Sequence, residues 1–411
     1  MDEGVPTLMS TDDRLKRYAE LAVRVGANVQ PGQEVMVRCM IEHHELARAV
    51  VEAAYEAGAR YVHIHYWDPV QKLHRLNHAE MDSLEYVPPW WNKAMNDLAE
   101  NEGAVITITG DPVPDLFADI PAGKMRLDRM PNTPSALKMV LGGRVNWTIV
   151  GGPIREWAER LFGEPDTDRL WDLMAQATRL DHDDPVQAWR DHVDRLSQRA
   201  GGLGARSFTA LRYRGPGTDL TIGLHEGTRW LSGSMTTSAG IEHVANMPTE
   251  EVFTTPDYRK TEGTVRCTRP LYLNGTIVEG LELTFKEGEI VDVKADRNVQ
   301  AVEADISTDA GARRLGEVAL VDGTSEVGKT GVVFGNTLFD ENATCHIAWG
   351  AGFPNAIEGL PESPEERDRM GFNSSKTHTD TMIGGPEVAV HGVDPDGTEV
   401  PVIIDNEWQL A

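Results

Sequence analysis

The chain has 411 residues, more than a single hydrophobic core usually organises, so two domains are expected. Its 39 Lys and Arg against 65 Asp and Glu give a formal net charge of −26, which disfavours nucleic acid and anionic membrane surfaces as partners. Apolar residues make up 40% of the sequence, which excludes a wholly disordered chain.

The first half alternates helical patterns with short apolar runs. A helix is predicted to begin at Thr11, and the helix expected over residues 44–57 lies between two predicted strands. The runs with β character cover residues 34–39, 61–65, 104–109 and 146–150. Strand and helix in alternation predict a mostly parallel α/β sheet domain, which we place at residues 1–200.

The second half has a different pattern. Residues 166–199 are helical in pattern, and the glycine-rich run 199–204 is predicted to be a linker. Three hairpins are then expected, and one helix, over residues 298–315, interrupts them. The paired segments are 207–213 with 219–224, 271–273 with 276–278 around Asn274-Gly275, and 281–285 with 290–294. The sequence thus predicts a β-rich α+β domain at residues 205–411.

The acidic start of the chain and the lack of a run of about 18 apolar residues predict a cytoplasmic protein without a secretory signal or membrane span. The three cysteines, Cys39, Cys267 and Cys345, are too scattered for a disulfide framework or a CxxC zinc site. Any bound metal is therefore expected to be held by histidines and carboxylates.

The clearest candidate ligands are His378 and Asp380, in the segment KTHTDTMI. Because successive side chains of a strand alternate between its faces, residues two apart leave the same face and can reach one ion. An exposed pair on a strand, without a ligand, is the alternative.

Three further segments contain buried-looking acids or histidines. Glu341 and His346 stand among small and apolar residues in LFDENATCHIA, and Glu317 precedes the apolar run VALV. Glu250 and Glu251 are adjacent in PTEEVFTTP, and in an extended segment only one of them can face a given ion. Core packing, capping and solvated loop acids are the alternatives for these residues. Imidazole and carboxylate groups from four segments, without a thiolate pair, suit a pair of hydrolytic divalent ions.

The motifs NMPTEEVFTTP, RRLGEVALV, GNTLFDENATCHIAWG and HTDTMIGGPEV, in this order, resemble those of the aminopeptidase T/aminopeptidase S family of metallopeptidases with two co-catalytic metal ions. RYVHIHYWD in the first half is similar to the same family's N-terminal domain. The resemblance implies a cytoplasmic homodimer that removes single N-terminal residues from peptides, using water activated by two metal ions. Zinc or cobalt is the implied metal, with manganese or magnesium as alternatives.

The family's metal ligands correspond to five positions in matching motifs: Glu251, Glu317, His346, His378 and Asp380. Glu341 is similar to a further carboxylate of that centre, and Glu250 is our candidate for the catalytic proton shuttle.

One position departs from the family pattern. Seven residues after the ligand histidine, where the family has a tyrosine whose hydroxyl polarises the substrate carbonyl, this chain has Phe353. Phenylalanine cannot donate a hydrogen bond, so one oxyanion donor is missing. This departure suggests one alternative to peptidase activity, a dimeric binding protein with a degraded centre. The resemblance implies a second alternative, a ring-opening dioxygenase with one iron on the same fold, because some relatives of the family are of that kind.

A second acidic and histidine-rich run, Glu42-His43-His44-Glu45, opens a predicted helix between two strands. It does not match the H-E-x-x-H zinc motif, and a structural or surface role is expected for it.

Overall fold

The structure is a computed structural model that describes residues 11–110, 116–117, 119–128, 130–131, 133–273 and 276–410. Its strands, in chain order, are β1 (Glu34–Met40), β2 (Tyr61–Trp67), β3 (Ala104–Thr109), β4 (Asn146–Gly151), β5 (Ala210–Gly215), β6 (Thr218–Gly223), β7 (Leu231–Ser232), β8 (Ser234–Thr236), β9 (Glu242–Val244), β10 (Asn246–Met247), β11 (Val252–Thr254), β12 (Thr261–Arg266), β13 (Leu271–Leu273), β14 (Thr276–Val278), β15 (Glu282–Lys286), β16 (Glu289–Lys294), β17 (Leu315–Leu320), β18 (His346–Gly350), β19 (His378–Met382), β20 (Ala389–Val393), β21 (Glu399–Ile404) and β22 (Glu407–Trp408).

The α-helices, in chain order, are α1 (Thr11–Leu21), α2 (His44–Glu56), α3 (Pro69–His78), α4 (Pro89–Glu100), α5 (Ala122–Leu127), α6 (Pro134–Leu141), α7 (Arg155–Phe162), α8 (Thr167–Ala177), α9 (Pro185–Gly204), α10 (Val299–Asp305), α11 (Glu326–Lys329), α12 (Thr337–Asp340) and α13 (Pro364–Met370). None of these described helices combines the length and the apolar character needed to cross a membrane.

The chain divides into two compact units. The N-terminal unit consists of Met1–Arg190 and Ser234–Met247, and the C-terminal unit consists of Asp191–Gly233 and Pro248–Ala411. Both units therefore contain residues from either side of the predicted boundary near residue 200.

The N-terminal unit is built on a five-stranded sheet in the order β10-β4-β3-β1-β2. All of its pairings are parallel. Its central strands are apolar on both faces because helices cover both sides: Val35 and Val37 are buried on one face, and Met36 and Val105 on the other. The predicted parallel α/β domain is confirmed.

The C-terminal unit contains two antiparallel sheets that share one hydrophobic core. An eight-stranded sheet has the order β16-β15-β12-β6-β5-β20-β21-β22, and a five-stranded sheet has the order β19-β18-β17-β11-β7. Leu211 and Ile222 of the first sheet belong to the same buried cluster as Val318 and Ile347 of the second. The predicted β-rich α+β character is confirmed, and the five-stranded sheet holds the candidate ligands.

The predicted linker at residues 199–204 is wrong, because these residues form the end of helix α9. Glycine in a helix costs about 1 kcal/mol relative to alanine. Leu196 and Leu203, however, are fully buried in the core of the C-terminal unit, and burying a leucine contributes more than one such penalty. Tertiary packing thus overrides the local preference of Gly201 and Gly202.

The predicted helix over residues 298–315 is also too long. Helix α10 ends at Asp305, a 3-10 turn covers Ala310–Arg313, and strand β17 begins at Leu315. The Asp309 side chain accepts a hydrogen bond from the backbone N–H of Ala312, which caps the separate turn. Of the predicted hairpins, the one at Asn274-Gly275 has its turn outside the described residues, although strands β13 and β14 pair as expected.

Candidate metal centre

Strands β17, β18 and β19 place four candidate ligands on one face of the five-stranded sheet. Glu317 of β17 and Asp380 of β19 both lie opposite Ala348 of β18 in the antiparallel register. His346 and His378 lie two residues from these positions on their own strands, and therefore on the same face. Strand register brings together residues that are up to 63 positions apart in sequence, which no local motif encodes.

The first ligand group consists of Glu251, Glu317 and His346, whose donor atoms all lie within 4.8 Å of one another. His346 Nε2 is 3.1 Å from Glu251 Oε2. The three residues are 7%, 4% and 1% exposed, so this group lies in the protein interior.

The second group consists of Glu317, His378 and Asp380, again with donor atoms within 4.8 Å of one another. His378 Nε2 is 3.1 Å from Glu317 Oε2 and 3.5 Å from Asp380 Oδ1. The His378 side chain is 30% exposed and is the group's most accessible member. Glu317 belongs to both groups, which is the arrangement expected of a carboxylate that bridges two ions.

The orientation of His378 is fixed by a backbone carbonyl. Its Nδ1 lies 2.7 Å from the carbonyl oxygen of Ala351, and because a carbonyl can only accept, Nδ1 carries the donated proton. Nε2 faces Glu317 and Asp380, whose charges raise the pKa of His378 well above its usual value, so here Nε2 donates to Glu317 Oε2. A metal ion would take the place of that proton on Nε2. No sequence pattern predicts this contact, because it depends on how β19 pairs with β18.

Electrostatics favour a cation at this position. Burial, together with the charges of Glu251 and Asp380, raises the pKa of Glu317 to about 7. Burial and the charges of Asp380, Glu251 and Glu317 also raise the pKa of Glu341 well above its usual value. Four carboxylates thus repel one another in the interior, and divalent cations would relieve that repulsion.

The histidine of the first group responds to the same charges. Burial opposes protonation of His346, but the neighbouring Glu251, Glu317 and Asp380 outweigh it and raise its pKa to about 10. A cation is therefore favoured at this imidazole, either as a proton or as a metal ion.

The donor chemistry also fits divalent metal ions. Both groups offer only carboxylate oxygens and imidazole nitrogens, the set that suits zinc and other hydrolytic ions. The nearby Cys345 does not take part, because its thiol hydrogen-bonds the backbone of Val321 in the core.

Glu341 faces this cluster without joining either ligand group. It begins a short 3-10 turn, Glu341–Ala343, directly before strand β18. The charges of Asp380, Glu251 and Glu317 raise its pKa, and His346 opposes that shift.

Glu250 is buried beside the cluster and belongs to neither ligand group. The backbone N–H of Glu326 donates to its Oε1 at 3.2 Å, and His192 Nε2 lies 3.4 Å from its Oε2. His192 Nε2 is also 2.7 Å from the Thr249 carbonyl oxygen. The sequence did not single out His192, which lies in helix α9 without a recognisable motif.

Phe353 lies against the second ligand group. Its ring centroid is 5.2 Å from that of His378, in an edge-on arrangement, and 5.2 Å from that of Phe253. Its backbone N–H donates to Thr255 Oγ1 at 2.7 Å, which fixes the position of the residue. The residue that departs from the family motif is therefore in contact with a candidate metal ligand.

Comparisons with known proteins identify the family of this chain. The chain matches the family model described as thermophilic metalloprotease (M29) over residues 11–408. It is 39% identical to Aminopeptidase 2 of Geobacillus stearothermophilus over 408 residues, which cover 97% of this chain and 98% of that protein. It is 40% identical to Aminopeptidase T of Thermus thermophilus over 401 residues, covering 96% and 98% of the two chains.

A solved structure shows the same fold. Wild-type AmpT from Thermus thermophilus matches with a TM-score of 0.89 and 37% sequence identity, covering 98% of this chain and 100% of that one. The family match, the relatives and the shared fold confirm the resemblance drawn from the sequence motifs, and this chain belongs to the thermophilic metalloprotease (M29) family.

Proposed function

We propose that this protein is a metal-dependent aminopeptidase that hydrolyses the N-terminal peptide bond of peptides. The observation that carries the proposal is the pair of ligand groups that share Glu317. Membership of a metalloprotease family, and relatives named as aminopeptidases, support the same reaction class.

The centre is proposed to hold two divalent ions per chain. Glu251 and His346 would bind one ion, His378 and Asp380 the other, and Glu317 would bind both. Glu341 would add a further carboxylate from the turn before β18. Zinc or cobalt is the proposed metal, with manganese or magnesium as alternatives, because oxygen and nitrogen donors accept all four.

When bound, such ions polarise a peptide carbonyl and lower the pKa of water to near neutrality. The protein's own residues would supply orientation and proton transfer. His378 is held in its ligand tautomer by the Ala351 carbonyl. Glu250, fixed by Glu326 and His192, is proposed to carry a proton to the leaving amine.

Two variants distinguish a proton shuttle from a ligand. Glu250→Gln should lower kcat by about 10²-fold or more while two ions stay bound, because general acid–base catalysis contributes about 10²–10⁴-fold. Glu341→Gln should instead weaken metal binding. If Glu250→Gln keeps full activity and Glu341→Gln loses activity with its metal retained, the two roles must be exchanged.

The relatives do not support the two other functions considered from the sequence. A ring-opening dioxygenase with one iron would leave much of the carboxylate set without a role, and the relatives are named as aminopeptidases. A degraded binding protein is likewise unsupported, because the ligand groups are assembled within hydrogen-bonding distance.

The direct test is a panel of aminoacyl-chromophore substrates with the metal-free protein and with each added ion. We expect turnover only with an added divalent ion, loss of turnover with a chelator, and recovery on reloading. Lack of turnover with every substrate and every ion would contradict the proposed function.

We further propose a homodimer in the cytoplasm. Strand β2 is at the edge of the N-terminal sheet, and Tyr61 and Tyr66 on it are 57% and 37% exposed. An edge strand with exposed aromatic side chains is suited to protein contact. Light scattering coupled to size exclusion should give twice the chain mass, and a monomer at micromolar concentration would contradict this.

A further inference from the structure

Helix α9 places a buried histidine against the segment that carries Glu250. His192 is 2% exposed, and its Nε2 atom lies 2.7 Å from the carbonyl oxygen of Thr249 and 3.4 Å from Glu250 Oε2. Because a carbonyl oxygen can only accept a hydrogen bond, Nε2 carries a proton and donates it. The N–H of His192 therefore faces both the Thr249 carbonyl and one oxygen of the Glu250 carboxyl group.

Arg195 fixes the same protonation state from the other side of the ring. It lies one turn further along α9, and its guanidinium group is 2.7 Å from His192 Nδ1. A guanidinium has no acceptor, so Nδ1 accepts the hydrogen bond and cannot carry a proton of its own. Two separate contacts thus assign one neutral tautomer to His192, with the proton on Nε2.

Helix α9 is held in place by contacts that do not involve His192. Leu196 and Leu203 are buried in the core of the C-terminal unit. Arg199 forms a two-bond ion pair with Asp322, at 3.1 and 2.6 Å. A replacement of His192 by a side chain of similar volume should therefore leave the helix in position.

The segment that carries Glu250 has a second anchor, the fully buried Asn342. The Glu250 N–H donates to Asn342 Oδ1 at 2.7 Å, and Asn342 Nδ2 donates to the Pro248 carbonyl at 3.4 Å. The backbone of this segment, and with it the next residue Glu251, is thus fixed without His192. What His192 adds is a fixed donor beside the Glu250 carboxyl group.

We propose that His192 is a positioning residue for the proton shuttle, and that Arg195 keeps it in the tautomer that this role needs. The proposal rests on the proposed role of Glu250. The Glu326 N–H holds Oε1 of Glu250 at 3.2 Å and the His192 N–H faces Oε2, so the carboxyl group is oriented through both oxygens. A carboxyl group held in one orientation transfers protons from one geometry, as efficient general acid–base catalysis requires. His192 does not itself take up the proton, because its Nδ1 is already occupied by Arg195.

The test compares two replacements of His192 in the metal-loaded full chain, by initial rates on aminoacyl-chromophore substrates. His192→Leu removes the N–H and should lower kcat by about tenfold or more, the effect of a lost hydrogen bond to a charged group. KM and the content of bound metal should stay unchanged, because Asn342 still anchors the segment that carries Glu251. His192→Gln keeps an N–H donor in place of Nε2 and should retain most of the activity.

A double-mutant cycle shows whether His192 acts through Glu250. In the Glu250→Gln background, His192→Leu should change kcat by less than about twofold, because the group that it positions no longer transfers a proton. The full loss in that background would overturn the proposal, as would wild-type kcat in His192→Leu. Arg195→Met should lower kcat by about two- to tenfold, the range for an ordinary hydrogen bond, and decides the matter if His192→Leu does not fold. Arg190→Met, at an exposed arginine of the same helix, is the matched control and should keep wild-type kcat.

The tautomer of His192 can be measured without turnover, which separates this proposal from the proposed function. Nitrogen NMR of histidine-labelled protein, with His192→Gln to identify the signal, should show a proton on Nε2 alone at pH 7. A doubly protonated ring, or a proton on Nδ1, would overturn the proposal even in a protein that hydrolyses peptides. The expected tautomer in a wild type that hydrolyses no substrate would instead contradict the proposed function, and with it the role of His192, while the tautomer assignment stands.

Discussion

Replacing Phe353 by tyrosine restores the hydroxyl that the family motif has at this position. The Phe353 ring lies 5.2 Å from the His378 ring, and its backbone is anchored on Thr255, so a tyrosine can keep the same backbone position. The residue is only half-buried, so the extra oxygen does not have to enter a closed core.

The magnitude follows from what one oxyanion donor contributes. Removal of such a donor costs about 10²–10³-fold in kcat. We therefore expect Phe353→Tyr to raise kcat by up to about 10²-fold, or about 2.7 kcal/mol, with little change in KM. A donor that acts only in the transition state affects kcat, whereas one that also binds the ground state lowers KM.

Initial rates of metal-loaded wild type and Phe353→Tyr should be compared on the same aminoacyl substrates. Phe253→Tyr is the matched control, because Phe253 contacts the same ring at 5.2 Å but does not occupy the family's tyrosine position. Measurable wild-type turnover that Phe353→Tyr leaves unchanged would refute the idea of a missing donor. An equal gain from Phe253→Tyr would show that the hydroxyl acts without the proposed geometry.

Three further predictions concern the ligand groups. His378→Ala should abolish turnover and lower the amount of bound metal measured by mass spectrometry, while the far-ultraviolet circular dichroism spectrum stays as in wild type. Full metal content in this variant would show that His378 is not a ligand. Gly350→Ala should lower the melting temperature and the activity together. Gly350 has φ +102°, and a Cβ atom there would lie 2.2 Å from the carbonyl oxygen of Thr377, the residue before His378. An unchanged melting curve would contradict this prediction. In metal-free protein, folding raises the pKa of Glu317 from 4.5 to about 7 and the pKa of His346 from 6.5 to about 10, so the folded state binds more protons than the unfolded state. The melting temperature should therefore fall as pH rises from about 5 to about 10. A rise over that window would contradict this prediction.

The period of two along a strand was enough to predict that His378 and Asp380 share a face, and the structure places their facing atoms 3.5 Å apart. The spacing alone did not reveal that Glu317 lies between them and His346. That arrangement depends on the antiparallel register of β17, β18 and β19, which is set by long-range pairing and not by neighbouring residues.

The sequence was least informative where packing opposes local preference. The glycines near residue 201 predicted a linker, but burial of Leu203 keeps the helix intact to Gly204. Local patterns therefore identified strands and their faces, whereas contacts between distant segments had to come from the structure.

The central claim, a two-ion centre that shares Glu317, is tested most directly by a crystal structure of the zinc-loaded protein with anomalous diffraction at the zinc edge. We expect two anomalous peaks per chain, each about 2.0–2.2 Å from an oxygen of Glu317, one also bound by His346 and the other by His378. A single peak, or two peaks of which only one contacts Glu317, would contradict the account.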